Sequence, residues 1–264
     1  MTILDEIFAN KRLEVEKRKR ALPLAELRLA AGKAPLAPDF TRAIRRSQAS
    51  PALIAEVKFG SPSKGILVEN PAPVSLAETY AANGAAAISV LTDEKYFRGS
   101  LEYLQQIHAA LPGMPLLRKD FIYDPYQIYE ARLAGASAVL LIVNQLEPAQ
   151  LAGLHTLALS LGMAALVEVH NHTELAAALR IKGLGLLGVN NRDLHTFKVD
   201  LQTCINLRQL VPADICFVAE SGLHTFEDVR RLSAARVDAM LVGEALVTAA
   251  DVADKIRTLM NPEK

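Results

Sequence analysis

Tryptophan is missing from this 264-residue chain, and only two cysteines, Cys204 and Cys216, occur in it. Two cysteines cannot build a disulfide framework, and their spacing is not that of a metal knuckle, so a reducing compartment is expected. Net charge is missing too. The 29 Lys+Arg balance 29 Asp+Glu, so no overall field draws the chain to nucleic acid or to an anionic membrane, and any anion site must be local. No segment approaches the roughly 20 uninterrupted apolar residues of a spanning helix. The opening stretch "MTILDEIFANKRLEVEKRKR" is charged throughout and has no apolar run of signal-peptide length. A soluble cytoplasmic protein is the expectation.

What the chain does have is a repeat. Its residues are 51% hydrophobic, enough for one large core, and apolar runs rich in Val, Leu and Ile recur at regular intervals. They are residues 53–58, 86–91, 115–120, 138–143, 164–169, 186–191, 215–221 and 239–244. Segments of helical period lie between them: 74–83, 101–111, 126–134, 148–161, 172–180, 201–210, 226–234 and 245–260. Strands alternating with helices imply parallel pairing, and near-continuous apolar strands imply burial on both faces. Eight such units in a chain near the typical ~250 residues predict a (β/α)8 TIM barrel over 1–264, with residues 1–50 as an N-terminal helical extension. A doubly wound open sheet is the structural competitor.

In the extension, Ile3, Leu4, Ile7 and Phe8 form a helical stripe, and Thr2 with Asp5 resembles a capping box. The charged run from Lys11 to Arg20 reads as a solvated helix face. Phe8 suggests a helix laid over one barrel mouth. Pro35, Pro38 and Pro51 punctuate the connection to the first strand, with a short helix starting near Asp39.

Barrel chemistry sits at the carboxyl ends of the strands, so those ends are where charge is informative. In "AEVKFGSPSKG" (55–65), Glu56 and Lys58 share one face with Ile54 by the two-residue period. Lys119 closes the third run, Glu168 stands near the end of the fifth, and Gly188, Asn190 and Arg192 share a parity in the sixth. Any one pair is as well explained by a salt bridge across the barrel. The whole set is harder to explain that way, because each buried ionisable group costs several kcal/mol. Ser221 and Gly222 finish the seventh run, and Gly243 precedes a helix starting at Glu244. Loops after strands seven and eight of such barrels commonly bind phosphate.

Two motifs fail on context. "GLGLLG" (183–188) leads into a strand instead of leaving one, the reverse of the dinucleotide arrangement. His170 and His172 form H-x-H without suitable partners, and Asn171 and Thr173 look like a helix start. No metal is expected.

Taken together, "AEVKFGSPSKG", "LTDEKYFRGSLEYL", "LRKDFI", "ALVEVHN", "GVNNRDLHTFKVDL", "AESGL" and "LVGEAL" resemble the indole-3-glycerol phosphate synthase family of tryptophan biosynthesis, from the first helix to the last. The resemblance implies a carboxy-lyase working without metal or organic cofactor. Its implied substrate is 1-(2-carboxyphenylamino)-1-deoxyribulose 5-phosphate, which is cyclised, decarboxylated and dehydrated. It implies Lys119, Glu168, Glu56 and Lys58 as catalytic groups, with Lys119 as candidate general acid and the other three sharing the dehydration. Ser61, Asn190 and Arg192 would contact substrate, and Phe97, Phe121 and Pro62 would line the anthranilate pocket. Ser221, Gly222, Gly243 and Glu244 would hold phosphate. Phe59-Gly60 departs from the family's pattern of basic and small residues, and Leu117 stands where a cysteine is frequent. A small-molecule partner and a monomer are expected, in at most loose association with other enzymes of the pathway. Two rivals stay open: a class I aldolase with Lys119 as Schiff-base nucleophile, and a phosphate-ligand binding barrel without turnover.

Overall fold

The computed structural model describes residues 3–46, 50–62, 64–192 and 198–261. Among them, eight parallel strands close into a barrel, each hydrogen-bonded to its neighbours in chain order. The strands are β1 (Ala52–Val57), β2 (Ala87–Leu91), β3 (Leu116–Lys119), β4 (Ala138–Ile142), β5 (Ala164–Val169), β6 (Leu186–Asn190), β7 (Cys216–Glu220) and β8 (Ala239–Val242). Closure is made by β1, which pairs with β2 through Ile54↔Ala87 and with β8 through Ala55↔Val242. This settles the choice against the open sheet. Closure leaves no strand edge unpaired, which suits runs too apolar to face water on either side.

The period of two sorts the strand residues into two cores. Ile54, Ala87, Leu117, Leu140, Leu166, Val218 and Leu241 fill the barrel lumen, and Phe40 and Ile44 pack against that set. Leu53, Ala55, Ile88, Val139, Val167, Leu187, Phe217 and Met240 point outward, into the layer shared with the helices. Leu117 is a lumen residue with no exposure, so its identity is a matter of packing.

Three helices precede β1: α1 (Ile3–Ala21), α2 (Leu24–Ala31) and α3 (Phe40–Ile44). Pro23 stands just before α2, which the sequence reading did not separate from the rest of the extension. Asp39 caps α3 by accepting from the Arg42 N–H at 3.0 Å, as its position before the periodic run implies. The capping box expected at Thr2 lies outside the described residues. After β1 come α4 (Pro73–Ala82), a short α5 (Glu94–Phe97), α6 (Leu101–Ala110), α7 (Pro125–Leu133), α8 (Pro148–Ser160), α9 (His172–Ala178), α10 (Leu201–Arg208) and α11 (Phe226–Ala234). The last expected helix is two: α12 (Glu244–Val247) and α13 (Val252–Met260). The break falls at Asp251, whose carboxylate accepts the Asp254 N–H at 2.9 Å and so starts a new helix instead of continuing the old one.

The charged face of α1 is the larger correction. Lys11 has no exposed side-chain surface, and its ammonium lies 2.7 Å from Glu14, 2.8 Å from Asp93 and 2.9 Å from Asp120. Arg18 reaches Glu130 at 3.2 Å and Lys19 reaches Asp124 at 2.7 Å, both carboxylates on or next to α7. Arg12, Lys17 and Arg20 do face solvent. A charged stripe reads as solvated only if nothing packs on it, and here the barrel rim supplies the opposite charges.

Candidate active site

At the carboxyl ends of the strands the lumen changes from hydrocarbon to charge. Glu56, Lys119, Glu168, Asn190 and Glu220 line one cleft with Lys58, Ser61, Pro62, Phe97, Phe121, Arg192, Ser221 and Glu244. The cleft encloses roughly 1020 Å³, part of it open to solvent. Alternation places these groups: Ile54, Leu117, Leu166 and Val218 are lumen residues, and two positions further on stand Glu56, Lys119, Glu168 and Glu220. Ile3, Leu4 and Ile7 of α1 also line the cleft, and Phe8 packs edge-on against Phe121 with centroids 5.5 Å apart. The extension therefore does lie over this mouth.

Lys119 is the centre of the arrangement. Its ammonium donates to Glu168 Oε2 at 2.7 Å and to Glu220 Oε2 at 2.6 Å. Burial alone would lower the lysine pKa, but the negative charges of Glu168, Glu220 and Glu56 outweigh it and hold the ammonium well above its usual range. The two carboxylates respond oppositely. Burial pushes both up; Lys119 and His170 overcome it at Glu168, which is held far below the carboxylate range. At Glu220, burial together with repulsion from Glu168 prevails over Lys119, and the carboxyl rises to about 7. Two buried carboxylates sharing one cation are thus driven apart, one ionised and one near neutrality.

Glu56 and Lys58 are a looser pair than their spacing suggests. Their closest approach is 3.9 Å. Glu56 Oε2 accepts from Ser89 Oγ at 3.3 Å, and its backbone carbonyl accepts from Tyr80 Oη at 3.1 Å. The Lys58 ammonium sits 5.5 Å from the Phe97 ring centroid, a cation–π distance. Phe97 and Phe121 lie 5.8 Å apart, so two aromatic walls face the charged end of the cleft.

Glycines make room for the carboxylates. At Gly188 an added Cβ would fall on Glu220 Oε1, and at Gly243 it would come within 2.5 Å of Glu56 Oε1. Gly243 has φ −120° and ψ −75°, outside the left-handed region, and a side chain there would meet the Glu56 carboxylate. Ser221 and Gly222 follow Glu220 with φ of 67° and 79°, which turns the chain sharply at the end of β7. For Ser221 that left-handed conformation costs roughly 1–2 kcal/mol. Asn191 fixes the turn: its Nδ2 donates to the carbonyls of Glu220 and Ser221, and its Oδ1 accepts from Cys204 N–H. A second, polar cleft adjoins the first and is lined by Lys58, Arg192, Ser221, Gly222, His224, Gly243 and Glu244.

The placement of acid–base groups on one barrel rim, with small residues after β7 and β8, agrees with a comparison by sequence. The family model for indole-3-glycerol phosphate synthase matches residues 4–259. The chain belongs to that family. It is 52% identical to the indole-3-glycerol phosphate synthase of Roseiflexus castenholzii, with 98% of each chain covered. It is 50% identical to that of Albidiferax ferrireducens over 94% of each chain, and 48% identical to that of Dehalococcoides mccartyi over 98% of this chain and all of that one. Among solved structures, KGPDC from Streptococcus mutans superposes with a TM-score of 0.61 over 80% of this chain and 95% of the other. At 10% identity that likeness concerns the barrel alone.

The predicted site residues border one or other of the two adjoining clefts: Glu56, Lys58, Ser61, Pro62, Phe97, Lys119, Phe121, Glu168, Asn190, Arg192, Ser221 and Glu244 the first, Gly222 and Gly243 the second; Gly188 borders neither and instead leaves room for Glu220. The omission was Glu220. It occupies the position in "AESG" that parity with Val218 assigns to the lumen, so the signal was available. Phe59 turns away from the cleft and packs edge-on against Tyr103, centroids 5.7 Å apart, so this departure from the family pattern is absorbed in the outer core. Cys204 and Cys216 are buried free thiols, each pushed by burial to about 12, and neither borders the clefts. In this synthase family member Asn171 caps α9, accepting from the Glu174 N–H at 3.0 Å, as read from the H-x-H context.

Proposed function

We propose that the chain cyclises 1-(2-carboxyphenylamino)-1-deoxyribulose 5-phosphate to indole-3-glycerol phosphate with loss of one CO2 and one water. The observation that carries this reading is the Glu168–Lys119–Glu220 cluster, with the ammonium 2.7 and 2.6 Å from its partners, in the cleft that Phe97 and Phe121 also line. Ring closure needs an aromatic carbon to attack a ketone, and charge develops on the ketone oxygen. In this reading Lys119 gives that oxygen a proton. Loss of CO2 from the ring carbon that made the attack then restores aromaticity, with the freed electron pair returning to the ring. Dehydration removes a proton from the neighbouring carbon and expels hydroxide as water, which needs a base and an acid together.

Glu168, held ionised, is suited to take a proton; Glu220, near 7, is suited to hold or release one at working pH. Glu56 and Lys58 lie between this centre and the polar cleft and serve the leaving hydroxyl. The apolar wall takes the anthranilate ring. Lys58, Arg192, Ser221 and the backbone of Gly222, Gly243 and Glu244 take the phosphate, with Ser61 and Asn190 on the ribulose chain. The reading requires no metal or organic cofactor and one small-molecule partner, and it places the protein in the cytoplasm, as a monomer.

The direct experiment is to add the carboxyphenylamino substrate to purified protein and follow indole fluorescence together with released CO2. Neither signal appearing would reject the assignment.

Two variants test the arrangement. In Glu220→Gln the step near pH 7 disappears from the pH dependence of kcat, and kcat drops by roughly 10- to 100-fold; an unchanged profile would place that titration elsewhere. Gly188→Ala pushes a methyl group into the space of the Glu220 carboxylate. We expect a comparable fall in kcat, since misplacement by about 1 Å costs on the order of 10². Circular dichroism should show the fold retained, and full activity would show that Glu220 can be displaced without consequence.

A further inference from the structure

Lys119 cannot both give up its proton and go on neutralising Glu168. Once the ammonium donates, a fully buried carboxylate loses its nearest cation, and taking a proton would be its easiest response. The structure places a second basic side chain there. His170 follows Glu168 by two residues, its side chain is 10% exposed, and its Nε2 lies 3.3 Å from Glu168 Oε1. This is an ion-pair contact off the hydrogen-bond line, since Nε2 has no aligned partner. The opposite ring nitrogen, Nδ1, lies 2.9 Å from Glu174 Oε2.

Glu174 is in turn fixed from several sides. It accepts from the His170 N–H at 2.8 Å, from Asn171 Nδ2 at 2.8 Å and from Asn144 Nδ2 at 3.3 Å. Burial opposes its charge, but the hydrogen bonds and charge of His170 and the bond from Asn144 outweigh it and hold the carboxyl below its usual range, and a place in the first turn of α9 favours the anion as well. The charged and polar groups facing this unit are therefore Glu168 from β5, Glu174 and Asn171 from α9, Asn144 after β4, Asn190 from β6 at 3.3 Å from Glu168 Oε1, and Lys119 from β3 through Glu168. A ring held between two carboxylates, with no other cation in contact, is an imidazolium; its pKa is raised to about 10, against the opposing effect of burial. None of the ring's atoms is needed to touch substrate.

We infer that His170, held as an imidazolium by Glu174, is a positioning residue that keeps Glu168 an ionised base, with Oε1 fixed, while Lys119 gives up its proton. This deepens the proposed reaction and rests on it. The two cations on Glu168 divide the work: one is mobile and belongs to the chemistry, and the other is anchored and stays charged.

The test is the pH dependence of kcat and KM for the wild-type protein, His170→Gln and Glu174→Gln, with the carboxyphenylamino substrate. Glutamine keeps a donor near Glu168 and removes the charge. We expect the acid limb of kcat to move up by about one pH unit or more in His170→Gln, the scale of an opposite charge within ~4–6 Å. kcat at neutral pH should fall about tenfold and KM stay within about twofold. Glu174→Gln should move the limb the same way by less. A helix-capping role alone would lower thermal stability and leave the limb in place, and an unmoved limb in both variants overturns the inference. A second readout needs no turnover: two-bond ¹H–¹⁵N spectra of the wild-type imidazoles, assigned with whichever variant folds. They should show His170 protonated on both nitrogens at about pH 8, and a neutral ring there overturns the inference by itself. Wild-type protein without turnover would instead reject the proposed reaction, so the two failures are distinguishable.

Discussion

Lys119→Ala is expected to lower kcat by about 10² or more, the range of a lost general acid. The substitution does more than remove a proton donor. It leaves Glu168 and Glu220 facing each other with no ammonium between the oxygens that now lie 2.7 and 2.6 Å from it. Two buried carboxylates without a shared cation cannot both stay ionised, so one takes a proton and the separation of their pKa values widens. Glu220, already at about 7, is the one to take it. Activity remaining in the variant should therefore show its titration moved upward from neutrality as well as a smaller maximum. The measurement is kcat against pH by indole fluorescence. Turnover within a few-fold of wild type would remove Lys119 from the mechanism. The same protein separates the rival aldolase reading, because borohydride with a keto-sugar phosphate should leave no covalent adduct on Lys119.

Lys11→Ala should be the most destabilising single change outside the site, at about 3–5 kcal/mol, the cost of removing one partner from a buried ion pair. The ammonium has no exposed surface and answers Asp93, Asp120 and Glu14. Asp120 also accepts from Arg118 Nη2 at 2.9 Å and Thr92 Oγ1 at 2.7 Å, while Arg118 meets Glu130 at 2.8 Å. Without Lys11, and among the described residues, Asp93 has no ion-pair partner left and Asp120 keeps Arg118. The pH dependence follows in sign. Burial favours protonating Asp120, but Lys11 and Arg118 prevail and depress its pKa below the ordinary range. A depressed carboxylate contributes stability that is complete above the unfolded pKa of about 3.9 and is lost as pH falls through the folded value. Removing Lys11 raises the folded value, so acid unfolding should begin at higher pH in the variant. Urea titrations at neutral and acid pH measure both effects, and a loss under about 1 kcal/mol would mean that water replaces the ammonium. Asp120 adjoins Lys119 and Asp93 caps the helix bearing Phe97, accepting from Tyr96 N–H at 2.8 Å. Activity should therefore suffer along with stability.

The strands and most helices were legible because each is a local pattern. A lumen-facing residue every second position and a helix-facing one between them write the barrel directly into residues 52–57 or 164–169. The same parity exposed Glu56, Lys119 and Glu168. It would have exposed Glu220 as well, had the small residues after it not drawn the reading toward phosphate. The separate start of α13 is marked by a side-chain cap, Asp251 accepting from the Asp254 N–H, a local bond that periodicity does not register. Lys11 was read as solvated because a helix face carries no sign of what will be packed on it.

By itself, then, the order of residues determined the eightfold strand–helix repeat and the strand ends at which the charged side chains would gather, since alternation along a strand is enforced by backbone geometry alone, while closure against the open sheet was decided by the pairing of β1 with β8. Only the tertiary structure decided which charge answers which. It left Glu56 and Lys58, neighbours in sequence, 3.9 Å apart, gave Lys119 its partners in Glu168 and Glu220, 49 and 101 residues away, and set His170 beside Glu168. Coulomb energy depends on separation in space and on the medium between the charges, and a barrel fixes both only when it closes.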